Sequence, residues 1–332
     1  MSASRTVITP VLPGDDPAAI ERAGELLRAG ALVAFPTETV YGLGADALNA
    51  DAVRRIFAAK ERPADNPLIV HVADVAAARA LVREFPPLAE RAAAALWPGP
   101  LTLVLPRAAI VPDVTTAGQD TVAVRVPAHP VALALLRACQ RPLAAPSANR
   151  SGRPSPTLAS HVSADLDGRV ALILDGGPTA YGLESTVLDL CHARPLLLRR
   201  GGVSREQLVA LLGAVDVVEA GDAAAIARSP GLRHRHYAPR ARVELVAEGA
   251  GEAAAARALA GGERVALICR RVVVSAAIVR RLPVALEGFA QALFATLRAL
   301  DDEGVDRIVV ESVPETGIGA AIMDRLRRAA AG

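Results

Sequence analysis

Lysine is almost missing from this chain. It carries 37 lysine and arginine residues, and only Lys60 among them is lysine. Asparagine is nearly as scarce, with Asn49, Asn66 and Asn149 alone. A bias toward arginine and alanine of this kind reads as a coding bias, under which functionally neutral lysines become arginines. Residues that run against it are therefore singled out, and Asn66 follows Lys60 by six positions. The three cysteines, Cys139, Cys191 and Cys269, are odd in number and far apart. That spacing argues against a disulfide framework or a zinc site and fits reduced thiols in a cytoplasmic protein. No apolar run of 18 residues free of charge is present, so no membrane span is expected. The start, MSASRTVITPVLPGDD, lacks the basic opening and apolar stretch of a signal peptide. A net charge of +2 makes no general case for nucleic acid. The phosphate-binding pattern GxxxxGK[ST] is absent, and Gly42-x-Gly44 is only a fragment of GxGxxG, which by itself reads as a turn.

What is present is enough for two domains within 332 residues. Asp15 or Asp16 can cap a helix running to Arg28 and closed by Gly30, followed by a buried strand, ALVAF, and a loop, PTETVYGLGAD. Asn49 or Asp51 can then start a helix that ends near Lys60, where Pro63 limits it. Further strands are read at LIVHV, LTLVL, TVAVRV, RVALIL, STVLDL and PLLLRR, with helices between several of them. Ser204 and Gln207 form a capping box for the helix REQLVALLG. Residues 220–240 carry Gly, Pro and basic residues without apolar periodicity and read as a linker. Strands and helices alternate beyond it, which implies a small α/β domain with a mostly parallel sheet. The expected division is a catalytic domain over 16–206, a helix and covering linker over 207–241, and a C-terminal domain over 242–332.

Several residue types sit where chemistry could use them. Lys60 and Arg62 close a helix beside Asn66, and two cations at one loop could neutralise phosphate. A helix C-terminus attracts the same charges without any ligand. His71 lies within an apolar strand, where a core histidine is the plainer reading. Ser147, Asn149, Ser151 and Ser155 follow an apolar strand end, a common place for ligand donors, although turn chemistry favours the same residues. Thr37, Glu38 and Thr39 pose the same choice. Arg125 falls inside the apolar strand TVAVRVP, where an unpaired guanidinium is costly. It is expected to face a cleft and hold an anion such as a carboxylate. Arg199 and Arg200 end a strand in a similar way. His234 and His236 could place two imidazoles together, but no acidic or cysteine partner stands nearby for a metal.

In fixed order the chain carries PTETVYGLG, KxRPxxNPLIVH, WPGPLT, TVAVRVPAHP, APSANxSGxPSPT, GxESTVLDL and LLRxG. This set resembles the YrdC-like family, and the later SPGLRHRHYAP with a further domain resembles its long threonylcarbamoyl-AMP synthases, over roughly residues 16–330. The resemblance implies a twisted mixed α/β sheet with a concave basic cleft, a linker, and a smaller Rossmann-like α/β domain. It implies a reaction of L-threonine, bicarbonate and ATP, with Mg2+ entering alongside ATP and no dedicated protein metal site. It assigns Lys60 and Arg62 to catalysis. Thr39, His71, Thr121, Arg125, Ser185 and the backbone of Ala145 would surround threonine. Arg62, Asn66, Ser147, Asn149, Ser155, Arg199 and Tyr237 would serve ATP, with Tyr237 folding back from the linker. The expected partners are a downstream tRNA threonylcarbamoyl transferase complex and, weakly, tRNA itself, with no membrane. Two other readings are an RNA-binding module of the same fold and a carbamoyl-AMP-forming maturation enzyme. The second would bring zinc-finger and acylphosphatase-like segments that this chain lacks. Lys60 is expected to line the cleft, so that replacing it barely alters stability.

Overall fold

The computed structural model describes residues 8–218, 228, 237–273 and 277–331. His234 and His236 lie outside them, as does most of the expected linker. Helix starts follow the sequence signals closely. The Asp16 carboxylate accepts from the Ala18 amide at 2.9 Å, ahead of the helix Pro17–Arg28. Asn49, not Asp51, caps Ala50–Lys60, accepting from the amides of Asp51 and Ala52. Both halves of the Ser204–Gln207 capping box form. Each cap satisfies amides that the first helical turn leaves without partners.

Eleven strands among the described residues form one mixed sheet. Their order is Val11–Pro13, Leu172–Asp175, Val33–Phe35, Gly42–Asp46, Leu143–Ala144, Ile69–His71, Thr121–Arg125, Leu101–Pro106, Thr186–Asp189, Leu196–Arg199 and Asp216–Val217. Parallel and antiparallel pairs interleave across it. Two features depart from the expected elements. The stretch PTETVYGLGAD, read as a loop, contains the strand Gly42–Asp46, which pairs antiparallel with Val33–Phe35. Its glycines obscure it in the sequence, and Gly44 is there for packing: a Cβ on it would lie 2.8 Å from the Phe35 ring. The helix Arg205–Leu212, grouped with the linker, packs on Pro87–Leu96, and Asp216–Val217 then extends the same sheet.

The second sheet is wholly parallel, in the order Arg242–Val246, Arg307–Glu311, Val265–Cys269, Ile278–Arg281. Gly251–Ala260 packs on one face, joining Val265, Leu267, Cys269 and Val309. Leu286–Asp302 and Gly319–Ala330 cover the other face with a larger core that also takes in Val40, Leu183 and Tyr237. The core of the second domain therefore extends to Val40 and Leu183, two loop residues of the first. Polar contacts add to it: Arg298, buried, reaches the Asp165 carboxylate at 2.7 Å and the Pro154 carbonyl. At Gly182 the backbones meet so closely that a Cβ would come within 2.5 Å of the Gln291 Cα. No helix among the described residues is long and apolar enough to cross a membrane.

Candidate active site

Strand ends and the loops that follow them converge on one pocket. The neighbouring strands Ile69–His71 and Thr121–Arg125 run parallel and place His71 opposite Arg125. From the loop after Phe35 come Thr37 and Thr39, whose hydroxyls meet at 2.8 Å. Thr37 Oγ1 also donates to the Val40 carbonyl at 2.6 Å, which fixes that turn. Gly42, Ala145 and Ser147 form a wall, and Glu184, Ser185, Arg199 and Tyr237 close another side. A Cβ on Gly201 would lie 2.3 Å from the Ser185 carbonyl carbon, so glycine there lets the Arg199 strand end press against Ser185.

The electrostatics are unusual. Arg125 Nη2 lies 2.7 Å from Glu38 Oε1, with both side chains nearly buried, but the pair is not aligned as a hydrogen bond. Its Nε donates to the Gly99 carbonyl at 3.2 Å. His71 is buried, and burial followed by the nearby Arg125 pushes its pKa down to about 3, so the ring is neutral at physiological pH. Its Nδ1 has no partner. Burial also lowers Arg62 to about 10, with Arg199 contributing through like charge. Arg62 reaches the carbonyls of Asn66 and Pro67 only at 3.3 and 3.5 Å, and its Nε is unpaired. Arg199 donates to the Ser185 carbonyl at 3.0 Å and to its hydroxyl at 3.1 Å. Buried polar atoms are nearly always satisfied in folded proteins. Here the unpaired ones on Arg62, His71 and Arg125 collect around a single pocket.

Of the residues singled out in the sequence, Thr39, Arg62, His71, Arg125, Ala145, Ser147, Ser185, Arg199 and Tyr237 line this pocket. The others stand around it differently. Thr121 is at the opposite end of its strand from Arg125, across from Pro106. Asn66 is buried. Asn149 accepts from Ser147 Oγ at 2.6 Å and donates to the carbonyls of Arg150 and Arg153, bracing its own loop. Ser155 donates to Glu184.

Lys60 requires a correction. It does not line the cleft: it is 2% exposed, and its Nζ donates to the carbonyls of Ser147 and Asn149. Burial, then the charge of Arg62, lowers its pKa well below the ordinary value. The lone lysine thus pins the back of the Ser147–Asn149 loop, where a slender stem and compact head fit between two carbonyls. The pocket-facing side of that loop is Ser147.

Residues 25–201 match the family model Sua5_yciO_yrdC, described as telomere recombination. Residues 203–331 match the one described as threonylcarbamoyl-AMP synthase, C-terminal domain. The chain belongs to the threonylcarbamoyl-AMP synthase family. The Pyrococcus abyssi protein of that name is 48% identical over 319 residues, 93% of this chain and 93% of that protein. The Bacillus subtilis protein of that name is 47% identical over 336 residues, 98% and 96% of the two chains. The crystal structure of P. abyssi Sua5 complexed with L-threonine superposes with a TM-score of 0.92 at 45% identity, over 98% of this chain and 97% of that one. These two relatives therefore align with this chain across both domains.

Sequence reasoning gave no role to Glu184, Arg298 or Arg325. Arg325 had a signal. It stands among Ile322, Met323 and Leu326 on the buried stripe of its helix, where a charge needs a partner.

Proposed function

We propose that this protein condenses L-threonine, bicarbonate and ATP to L-threonylcarbamoyl-AMP and pyrophosphate. The observation that carries this reading is the set of unpaired cationic and polar atoms around one pocket, in a chain aligned end to end with synthases of that name. Guanidinium groups whose charge is disfavoured by burial gain when an anion enters, because the anion offsets the hydration they have lost. Arg62 and Arg199 are suited to the phosphates. Arg125 Nη2, lacking an aligned hydrogen bond, is suited to the threonine carboxylate, while Thr39 and Ser185 offer hydroxyls beside it. Neutral His71 can accept or donate one hydrogen bond without adding charge.

The amine of threonine forms an N–C bond with the carbon of CO2 and releases a proton, or with the carbon of bicarbonate, whose C–OH bond breaks as the hydroxyl leaves with the amine proton as water. A carbamate oxygen then attacks the α-phosphorus, and the bond to the bridging oxygen breaks as pyrophosphate leaves. The protein's part is positioning and charge stabilisation, and no covalent nucleophile is needed. Mg2+ would arrive on the triphosphate as part of the substrate. The pocket's carboxylate neighbours, Glu38 and Glu184, face Arg125 and Arg325. A tRNA-modifying transferase in the cytoplasm is the natural consumer, because the product is a mixed anhydride primed for transfer. The RNA-binding alternative draws no support from relatives that bear a synthase name.

Pyrophosphate release, followed with threonine, bicarbonate and ATP omitted in turn, tests the reading. Each omission should abolish release, and valine should support it poorly. Losing the side-chain hydroxyl leaves polar groups unpaired at a cost of about 1–3 kcal/mol. Equal rates with valine would sink the assignment.

A further inference from the structure

The second domain sends two buried arginines into the first. Arg298 holds Pro154 and Asp165, next to Ser155. Arg325, 1% exposed, goes further and reaches the pocket wall. We propose that Arg325 is a positioning residue for the nucleotide end of the pocket, neutralising Glu184 and seating Tyr237, so that the second domain completes the active site. The proposal rests on the synthase reading above and gives the second domain a place in it.

Glu184 lines the pocket beside Ser185 and is nearly buried. One carboxylate oxygen accepts from Ser155 Oγ, and the other lies 2.8 Å from Arg325 Nε. Without that guanidinium, a buried negative charge would stand at the wall of a space meant for a triphosphate, and low polarity would magnify the repulsion. Arg325 also donates to the Arg200 carbonyl at 3.0 Å, one residue beyond Arg199. Its guanidinium carbon sits 5.1 Å from the centre of the Tyr237 ring, and Phe294 stacks on the same ring at 5.4 Å. Both groups come from the second domain. Tyr237 needs them, since its φ of 68° is a left-handed conformation that a non-glycine residue holds only when its surroundings fix it. Burying a guanidinium also carries a desolvation cost, and an apolar residue of similar size often stabilises a core as well or better. A charge held at that position fits a role in the site better than a role in packing.

The test uses the full chain and three variants: Arg325→Met, Arg325→Lys, and Arg325→Met combined with Glu184→Gln. ATP binding is measured by calorimetry, the ATP and threonine KM from pyrophosphate release, and folding by thermal unfolding. Arg325→Met should weaken ATP binding by about tenfold or more, with the threonine KM changed less than about twofold. Removing the stranded carboxylate in the double variant should restore most of the ATP affinity, and lysine should fall between. Parallel losses for both substrates, or no recovery in the double variant, would make Arg325 a fold-holding residue only. If Arg325→Met does not fold, Arg325→Lys and the double variant decide by the same split. If the unaltered protein binds ATP but releases no pyrophosphate with threonine, the synthase reading fails while the calorimetry still judges Arg325. An unaltered protein that binds no ATP overturns both.

Discussion

Both domains are α/β sheets with charged residues at the ends of strands, yet they treat those charges in opposite ways. At the end of Arg307–Glu311 in the second sheet, Glu311 is buried and accepts from the Gly251 amide at 3.0 Å and from Arg271 at 3.0 Å. The start of the helix Gly251–Ala260, where a phosphate could sit in a nucleotide-binding fold, is thus filled by the chain's own carboxylate. A Cβ on Gly251 would lie 2.8 Å from that carboxylate, which shows how tightly the place is closed. In the first domain, Arg62, His71 and Arg125 keep polar atoms unpaired against a pocket. Charge alone does not mark a site. Unspent hydrogen-bonding capacity does, because it is tolerated only where a ligand will use it.

The largest effect expected from breaking this contrast is at Arg125. Arg125→Met leaves Glu38 buried without its partner, which should cost about 3–5 kcal/mol in denaturant unfolding and remove threonine-dependent turnover. Adding Glu38→Gln should recover stability but not turnover. Recovery of both would mean that Arg125 serves only to balance Glu38.

Lys60→Met comes next. It strands the Ser147 and Asn149 carbonyls at about 1–3 kcal/mol each, and should lower the melting temperature as well as activity. An unchanged melting temperature would return Lys60 to the role of a dispensable charge.

The smallest effect on turnover is expected in the second sheet. Glu311→Gln keeps one acceptor for the Gly251 amide but loses the ion pair with Arg271. Stability should fall by about 1 kcal/mol, with pyrophosphate release unchanged below the melting point. A marked loss of turnover in a folded variant would erase the distinction between the two sheets.

The comparison also shows what a sequence can reveal of such a molecule. Helix starts at Asp16, Asn49 and Ser204 were legible because capping is local chemistry within three residues. Three strands of the parallel second sheet were legible because they alternate with helices in five-residue and longer units, whereas the four-residue Ile278–Arg281 was too short to stand out. The order of the first sheet was not. Several of its strands are only two or three residues long, and their partners are set by contacts far away in the chain. Arg125 declared itself as a charge in an apolar strand, and the structure places it in the pocket. Lys60 was conspicuous for its rarity, but rarity could not say which way its side chain points. The link between Glu184 and Arg325 spans 141 positions, so neither residue alone signals the other.

The seating of Lys60 has a practical consequence. As the chain's only lysine, with its amine tied to two carbonyls and 2% of its surface exposed, it offers no side-chain amine to acylating reagents while the protein is folded. A lysine-specific protease likewise has one cleavage point, at a helix end packed beneath the Ser147–Asn149 loop. Labelling or cutting at residue 60 therefore clocks the opening of that loop, without any engineered probe. Adding threonine or ATP would show directly how much each slows the clock.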